Sequence, residues 1–300
     1  MIEKLPSEQR NPASERIDAV STKEMLEIIN REDAGVAAAV EAEIPRIADA
    51  VDAIAERFAA GGRLFYVGAG TSGRLAVLDA AELPPTYGLE PGRVIALIAG
   101  GAEAVVRSVE GAEDDESGAI EDLSPFDLTS ADCVIGIAAS GRTPYVVGAL
   151  RFAQGQGAWT GAVTTNPKAL LRQFSDVVIA PAVGPEVITG STRMKSGTAQ
   201  KLVLNMISTA LMVRMGCVLG NRMVNVQLTN EKLWDRAERI VAEIAGVDRS
   251  AAAQSLKKAG DVRIAVLMLT AHLELEEAKT LLNANRGILR AALAAAEKGT

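Results

Sequence analysis

Three short loops concentrate the side chains that could do chemistry: Gly70-Thr71-Ser72-Gly73, Ser140-Gly141-Arg142-Thr143 and Thr189-Gly190-Ser191-Thr192. Hydroxyls beside glycines, with bare backbone N–H groups around them, can ring a phosphate dianion without a salt bridge. One such loop is ordinary turn chemistry. Three of them, each following an apolar run, predict a shared phosphate-binding crevice. The spacing Gly68-x-Gly70-x-x-Gly73 also fits the dinucleotide fingerprint. A dinucleotide would need an acid about 20 residues on, at the end of the next strand. That position holds Ala99-Gly100-Gly101, so the loop reads as a site for a compact phosphate monoester.

The elements that must position these loops follow from hydrophobic periodicity. Residues 64–67 read as a buried strand, broken at Gly68 and resumed as a helix over 74–81 that Pro84-Pro85 should stop. Further apolar runs at 93–98, 132–138, 158–164 and 176–179 read as strands. Between them, residues 34–60 carry one long helical pattern, and Pro144 launches a helix to about Gln154. A long loop, 184–195, feeds an apolar helix from about Thr198 to Met215. Apolar strands alternating with helices specify an α/β fold whose parallel sheet is covered on both faces, with ligands at the carboxyl ends of its strands. Residues 1–33 read as an arm and a helix capped by Thr22, residues 34–228 as the α/β domain, and residues 229–300 as a helical domain. In the last, Asp248 and Asp261 are plausible caps.

Composition narrows the function classes. The chain has 300 residues, 48% of them hydrophobic, enough for a full core, and a net charge of −7. It lacks a basic tract with interleaved aromatics, which argues against nucleic acid and anionic membranes as partners. Its apolar segments are too short to span a bilayer, and no signal peptide is visible. Two cysteines, Cys133 and Cys217, suit a reducing cytoplasm and give no metal spacing; the single histidine, His272, leaves little for Ser/His or zinc chemistry.

Four longer segments carry a resemblance: YVGAGTSGRL at 66–75, LDAAELPPT at 78–86, GIAASGRTPYV at 136–146 and GPEVITGSTRMKSGTAQKLVLNMIST at 184–209. Together they resemble the N-acetylmuramic acid 6-phosphate etherases, of the sugar isomerase (SIS) fold. The likeness runs from EQRNP at 8–12 through TNEK at 229–232 into the tail. It implies a three-layer αβα sandwich with a five-stranded parallel sheet and a small C-terminal helical domain. It also implies a symmetric homodimer, a phosphosugar substrate, and no cofactor or metal. Such enzymes cleave the lactyl ether of N-acetylmuramic acid 6-phosphate with water, in the recycling of cell-wall sugars.

By that resemblance the acid–base pair falls on Glu82 and Glu113. The chain departs from the expected pattern at Leu83, where a cysteine would stand, a side chain given no chemical role. Flanked by alanines, Leu83 and two prolines, Glu82 is expected in an apolar setting suited to a general acid; the bland reading is a helix-end glutamate in solvent. Glu113 opens an acidic run, Glu113-Asp114-Asp115-Glu116, which on charge alone is a solvated loop. The substrate-binding set is Gly70, Thr71, Ser72, Gly73, Ser140, Gly141, Arg142, Thr143, Glu186 and Ser191. Arg142 and Arg193 either add charge or pair with surface acids; Glu186 either touches the sugar or caps the following backbone. Two other activities fit the same loops: a phosphosugar isomerase, and a non-catalytic sugar-phosphate sensor like the glucokinase regulatory protein.

Overall fold

The computed structural model describes residues 5–299, and contacts divide the chain into two units: Met1–Ala81 with Gly92–Thr209, and Glu82–Pro91 with Ala210–Thr300. The expected boundary at 228/229 falls inside the second unit.

In the first unit, five strands form one parallel sheet: β1 (Leu64–Gly68), β2 (Val94–Ile98), β3 (Cys133–Ile137), β4 (Trp159–Val163) and β5 (Val177–Ile179). Their order is β2-β1-β3-β4-β5, so the chain reverses direction across the sheet between β1 and β3. Leu64 pairs with Val94 on one side and with Cys133 on the other, which brings the ends of β1 and β3 level. That is the position at which open parallel sheets leave a crevice for ligand. Every residue of β1, β3 and β4 is buried, as strands covered on both faces require.

The helices are α1 (Thr22–Asp33), α2 (Val36–Glu41), α3 (Ile44–Ala59), α4 (Gly70–Tyr87), α5 (Glu103–Val106), α6 (Glu116–Leu123), α7 (Pro144–Gly155) and α8 (Lys195–Arg214). Several boundaries differ from those read in the sequence, among them the start of α4, at Gly70 rather than at residue 74. Ser21, not Thr22, caps α1, its hydroxyl accepting from Glu24 N–H at 3.3 Å. The single helix expected over 34–60 is two, because Pro45 near the start of α3 has no N–H to continue the preceding turn. And α4 runs through Pro84 and Pro85 to Tyr87; proline φ suits a helix, and Gly88 N–H closes the end on Pro84 O at 2.9 Å.

The second unit holds a two-stranded antiparallel ribbon, β6 (Val218–Leu219) with β7 (Arg222–Met223), and five helices: α9 (Glu231–Ala245), α10 (Arg249–Ala259), α11 (Val262–Thr270), α12 (Leu275–Ala284) and α13 (Leu289–Gly299). Asp248 and Asp261 cap α10 and α11 as expected, accepting from Ala251 N–H at 3.0 Å and from Arg263 N–H at 2.7 Å. The unit has its own core, including Val224, Val241, Leu256, Val266 and Leu289. Among the described residues no helix is long and apolar enough to cross a membrane.

One buried charge ties the start of the sheet together. Asp132, 2% exposed just before β3, accepts from Arg63 Nε, Arg63 Nη2 and Thr129 N–H at 2.9–3.0 Å. Burial works to raise this carboxyl, but the Arg63 hydrogen bonds and backbone N–H groups outweigh it and hold it below the usual carboxylate range. Its stabilisation is complete above about pH 4 and disappears as pH falls through the lowered value. Asp132→Asn is expected to lower stability by about 2–3 kcal/mol at pH 7. In urea melts the deficit should shrink below about pH 4, where the wild-type carboxylate also protonates.

Candidate active site

Glycines let β1 and α4 approach closely. A Cβ on Gly68 would lie 2.7 Å from Gly73 N, and one on Gly73 would lie 2.5 Å from Ile98 Cγ1 and 2.9 Å from Gly68 O. Gly70 turns the chain with φ of +52°. The N–H of Gly73 already returns to Ala69 O at 3.2 Å, so the amides of Gly70, Thr71 and Ser72 are the open start of α4. They sit at the carboxyl end of β1, beside the sheet's switch point.

A cleft of about 350 Å³ opens there, lined by Gly70 and Arg74 of α4, Ala99 after β2, and Val109, Gly111 and Glu113. Part of the Arg74 guanidinium is already engaged by backbone. Its guanidinium donates to Val105 O and Arg107 O at 3.0 and 3.2 Å, tying the chain that leads to Glu113 onto α4. Glu113 is exposed on a 3₁₀ turn, Ala112–Asp114; Asp115 next to it caps α6, accepting from Ser117 and Gly118 N–H at 3.0 Å.

Glu82 is exposed, in the second unit, and is not in the apolar setting its neighbours implied. Because α4 continues through the prolines, adjacent side chains point roughly 100° apart, and Leu83 takes the buried side at 3% exposure.

The second loop is braced from below. Ser140 Oγ accepts from Arg142 N–H at 3.3 Å and Ser140 O accepts from Asn166 Nδ2 at 2.9 Å. Gly141 has φ of +67°, and a Cβ there would collide with Ala169. Thr143 stands at the start of α7 with its hydroxyl making no bond to the helix, and Arg142 is exposed.

The third loop ends in a cap. Glu186 is fully buried, and its two oxygens accept from Lys195 N–H at 2.9 Å and Ser196 N–H at 2.8 Å. Of the two readings of Glu186, the backbone cap describes these bonds, and it starts α8 at Lys195 rather than at Thr198. Lys195 Nζ lies 2.7 Å from Glu32 Oε2, which also accepts from Asn11 Nδ2; Lys195 is the main reason the Glu32 carboxyl is held below its ordinary range. Ser14 Oγ donates to Val187 O at 2.7 Å and Gly190 N–H to Ser7 O at 2.9 Å, so the N-terminal arm grips this loop. Ser191, half-buried, donates its N–H to Ile188 O. A larger cleft of about 510 Å³ lies between arm and loop, lined by Arg10, Asn11, Ile17, Val187 and Thr189 among others.

The first turns of α8 touch the first loop directly and are linked to the second through Thr165. Ser72 Oγ donates to Gln200 Oε1 at 2.9 Å, and Thr71 Cγ2 lies 3.4 Å from where a Cβ on Gly197 would sit. Ser196 Oγ is 3.1 Å from Thr165 Oγ1, and Thr164 and Thr165 both donate to Ala139 O, next to Ser140. The loops therefore meet around α8, although Ser140, Thr143 and Ser191 do not line the cleft that holds Gly70 and Glu113. Further along, Asp79 of α4 accepts from Asn205 Nδ2 at 2.7 Å and Ser208 Oγ at 3.0 Å; burial pushes its carboxyl up, against these bonds.

The family is decided over the whole length of the chain. It is 53% identical to the N-acetylmuramic acid 6-phosphate etherase of Clostridium beijerinckii, over 97% of this chain and 96% of that one. It is 54% identical to the etherase of Pectobacterium atrosepticum, over 96% of each. The chain belongs to the N-acetylmuramic acid 6-phosphate etherases. Family models add that residues 46–154 of this chain match the N-terminal SIS domain of glucokinase regulatory protein, and residues 220–261 its C-terminal lid domain. The fold is shared with a phosphoheptose isomerase from Francisella tularensis, with a TM-score of 0.51 at 16% identity, over 64% of this chain and 98% of that one. The α/β sandwich with a parallel five-stranded sheet is thus the SIS fold that the motifs implied.

Gln200, Ser196, Thr165, Asn166 and Asp79 were not singled out by sequence reasoning. For Ser196 and Gln200 the signal is faint but present: with Asn205 and Ser208 they place polar groups at helical spacing on a mostly apolar α8. Glu186→Gln leaves one of the two N–H groups a neutral acceptor and turns the other onto an amide NH2 that cannot accept, and is expected to cost about 1–2 kcal/mol. Thermal or urea melts would register it, together with increased hydrogen exchange at the amides of Lys195 and Ser196.

Proposed function

We propose that this chain cleaves the D-lactyl ether of N-acetylmuramic acid 6-phosphate with water, giving N-acetylglucosamine 6-phosphate and D-lactate. The observation that carries the reading is the shared cleft: Glu113 lines the same cavity as Gly70, at the open start of α4. A phosphate bound to those amides and to Thr71 and Ser72 would set the sugar beside that carboxylate.

The ether oxygen at C3 is a poor leaving group, but in the open-chain sugar it lies beta to an aldehyde. The carbonyl acidifies the C2 proton. Glu113 takes that proton, and the electrons form the C2–C3 double bond as the C3–O bond breaks. Glu82 gives its proton to the departing lactate oxygen and then, as a base, activates the water that adds at C3; a proton returned to C2 restores the aldehyde. Two carboxyls in opposite protonation states suffice, and neither a metal nor a redox cofactor is required by this chemistry. The reaction is formally that of a carbon–oxygen lyase. By this reading, Ser140 and Thr143 join Thr71 and Ser72 as phosphate donors once substrate is bound, and Arg142 and Ser191 are further substrate contacts. Cytoplasmic residence and a symmetric homodimer belong to the same reading, as does a place in cell-wall sugar recycling.

The etherase relatives match nearly the whole chain, whereas the models named for the regulatory protein match two segments, which favours the enzyme over a sensor. Lactate release from the muramic substrate separates it from an isomerase. In deuterium oxide, Glu82→Ala is expected to keep exchanging the C2 hydrogen while releasing no lactate, and Glu113→Ala to lose both. The reverse pattern would exchange the two roles. Ser140→Ala should raise KM by about tenfold with little change in kcat, measured as lactate formed; a fall in kcat alone contradicts a binding role.

A further inference from the structure

We propose that Gln200 is a positioning residue that sets the direction of the Ser72 hydroxyl and, through it, the affinity for the substrate phosphate. The inference rests on the phosphosugar reading above. Ser72 is 8% exposed and Gln200 1%, and the hydroxyl is 2.9 Å from Gln200 Oε1. Gln200 Nε2 is buried without any hydrogen-bond partner.

A serine hydroxyl has one proton. While that proton lies on Gln200 Oε1, Ser72 can turn only lone pairs toward a phosphate oxygen, and the contact is repulsive. A half-turn of the amide about its last bond reverses the pair. Nε2 then donates to Ser72 Oγ, and the hydroxyl proton is released to the phosphate. The same half-turn gives the orphaned Nε2 a partner and leaves Oε1 in its place, an exchange that buried groups tolerate, since unpaired carbonyl oxygens are less rare than unpaired N–H groups. The two orientations of Gln200 are therefore close in energy without ligand, and an anion at the start of α4 selects the donating one. The glutamine backbone is held for this: one turn earlier on α8, Ser196 is bonded to Thr165, and Gly197 packs against Thr71.

The test compares Ser72→Ala, Gln200→Met, Gln200→Glu and the Ser72→Ala/Gln200→Met double variant in the full chain, by lactate release and by competitive inhibition with inorganic phosphate. Methionine keeps the shape and neither donates nor accepts strongly; ionised glutamate keeps the shape and can only accept. Ser72→Ala and Gln200→Met should each raise KM and the phosphate inhibition constant by about five- to tenfold, with kcat within about twofold. Gln200→Glu should raise both further, because it holds the Ser72 proton. The double variant should be no worse than Ser72→Ala alone, because Gln200 acts only through Ser72. If Ser72→Ala raises KM and both Gln200 variants leave it unchanged, the positioning role is overturned while the phosphate site stands. If Ser72→Ala itself leaves KM and phosphate inhibition unchanged, the phosphate reading of Ser72 falls as well. Effects that multiply in the double variant overturn the coupling. Should Gln200→Met fail to fold by circular dichroism, Gln200→Glu in the Ser72→Ala background decides: an inhibition constant equal to that of Ser72→Ala supports action through Ser72, and a further rise, as direct charge repulsion gives, overturns it.

Discussion

A single buried carboxylate sets where the site can form. Glu186 has no cationic side chain bonded to it and spends both oxygens on the backbone at the start of α8. Those bonds settle the first residue of the helix, and with it the phase of every side chain that follows. Ser196, Gly197 and Gln200 fall on the side that meets Thr165, Thr71 and Ser72 because the helix begins at Lys195. A start one residue later would turn that face by roughly 100°. The charge at this helix start is supplied by the protein itself, whereas the start of α4 carries no such cap and is open to an anion from outside.

Much of the architecture was legible in the sequence, because burial on both faces forces strands to be apolar throughout. All five strands were found that way, and each helix following the first and second hydroxyl loops was placed by its glycine or proline. The differences have separate causes. Pro45 was hidden in an otherwise continuous apolar period, so α2 and α3 read as one. Pro84 and Pro85 were given too much weight as helix stops, because a helix already formed by packing tolerates losing two N–H groups near its end. Glu82 was expected in an apolar setting because its sequence neighbours are apolar, but neighbours in sequence point different ways on a helix.

The site was legible in part. Gly70, read from loop chemistry, and Glu113, read from family resemblance, line one cleft. What the sequence did not reveal is the layer beneath: the buried residues that hold the candidate site residues in place. Their spacing with their partners is long, as with Ser72 and Gln200, and only the packing of α4 beside α8 brings them together. No local pattern announces such pairs, whereas glycine loops announce themselves.

The grip of the arm on the third loop spans the chain: Asn11 reaches Pro185 and Ser14 reaches Val187 across 174 and 173 positions. On the ribosome, the amino-terminal segment leaves the exit tunnel long before its partner has been translated. The sheet can pair strand by strand while synthesis proceeds, since β1 meets β2 and β3 within a modest stretch of chain. The clasp cannot. Completion of the binding face is thus a late event in the birth of each molecule, deferred until the polypeptide has passed Lys195 and its first and middle portions can meet.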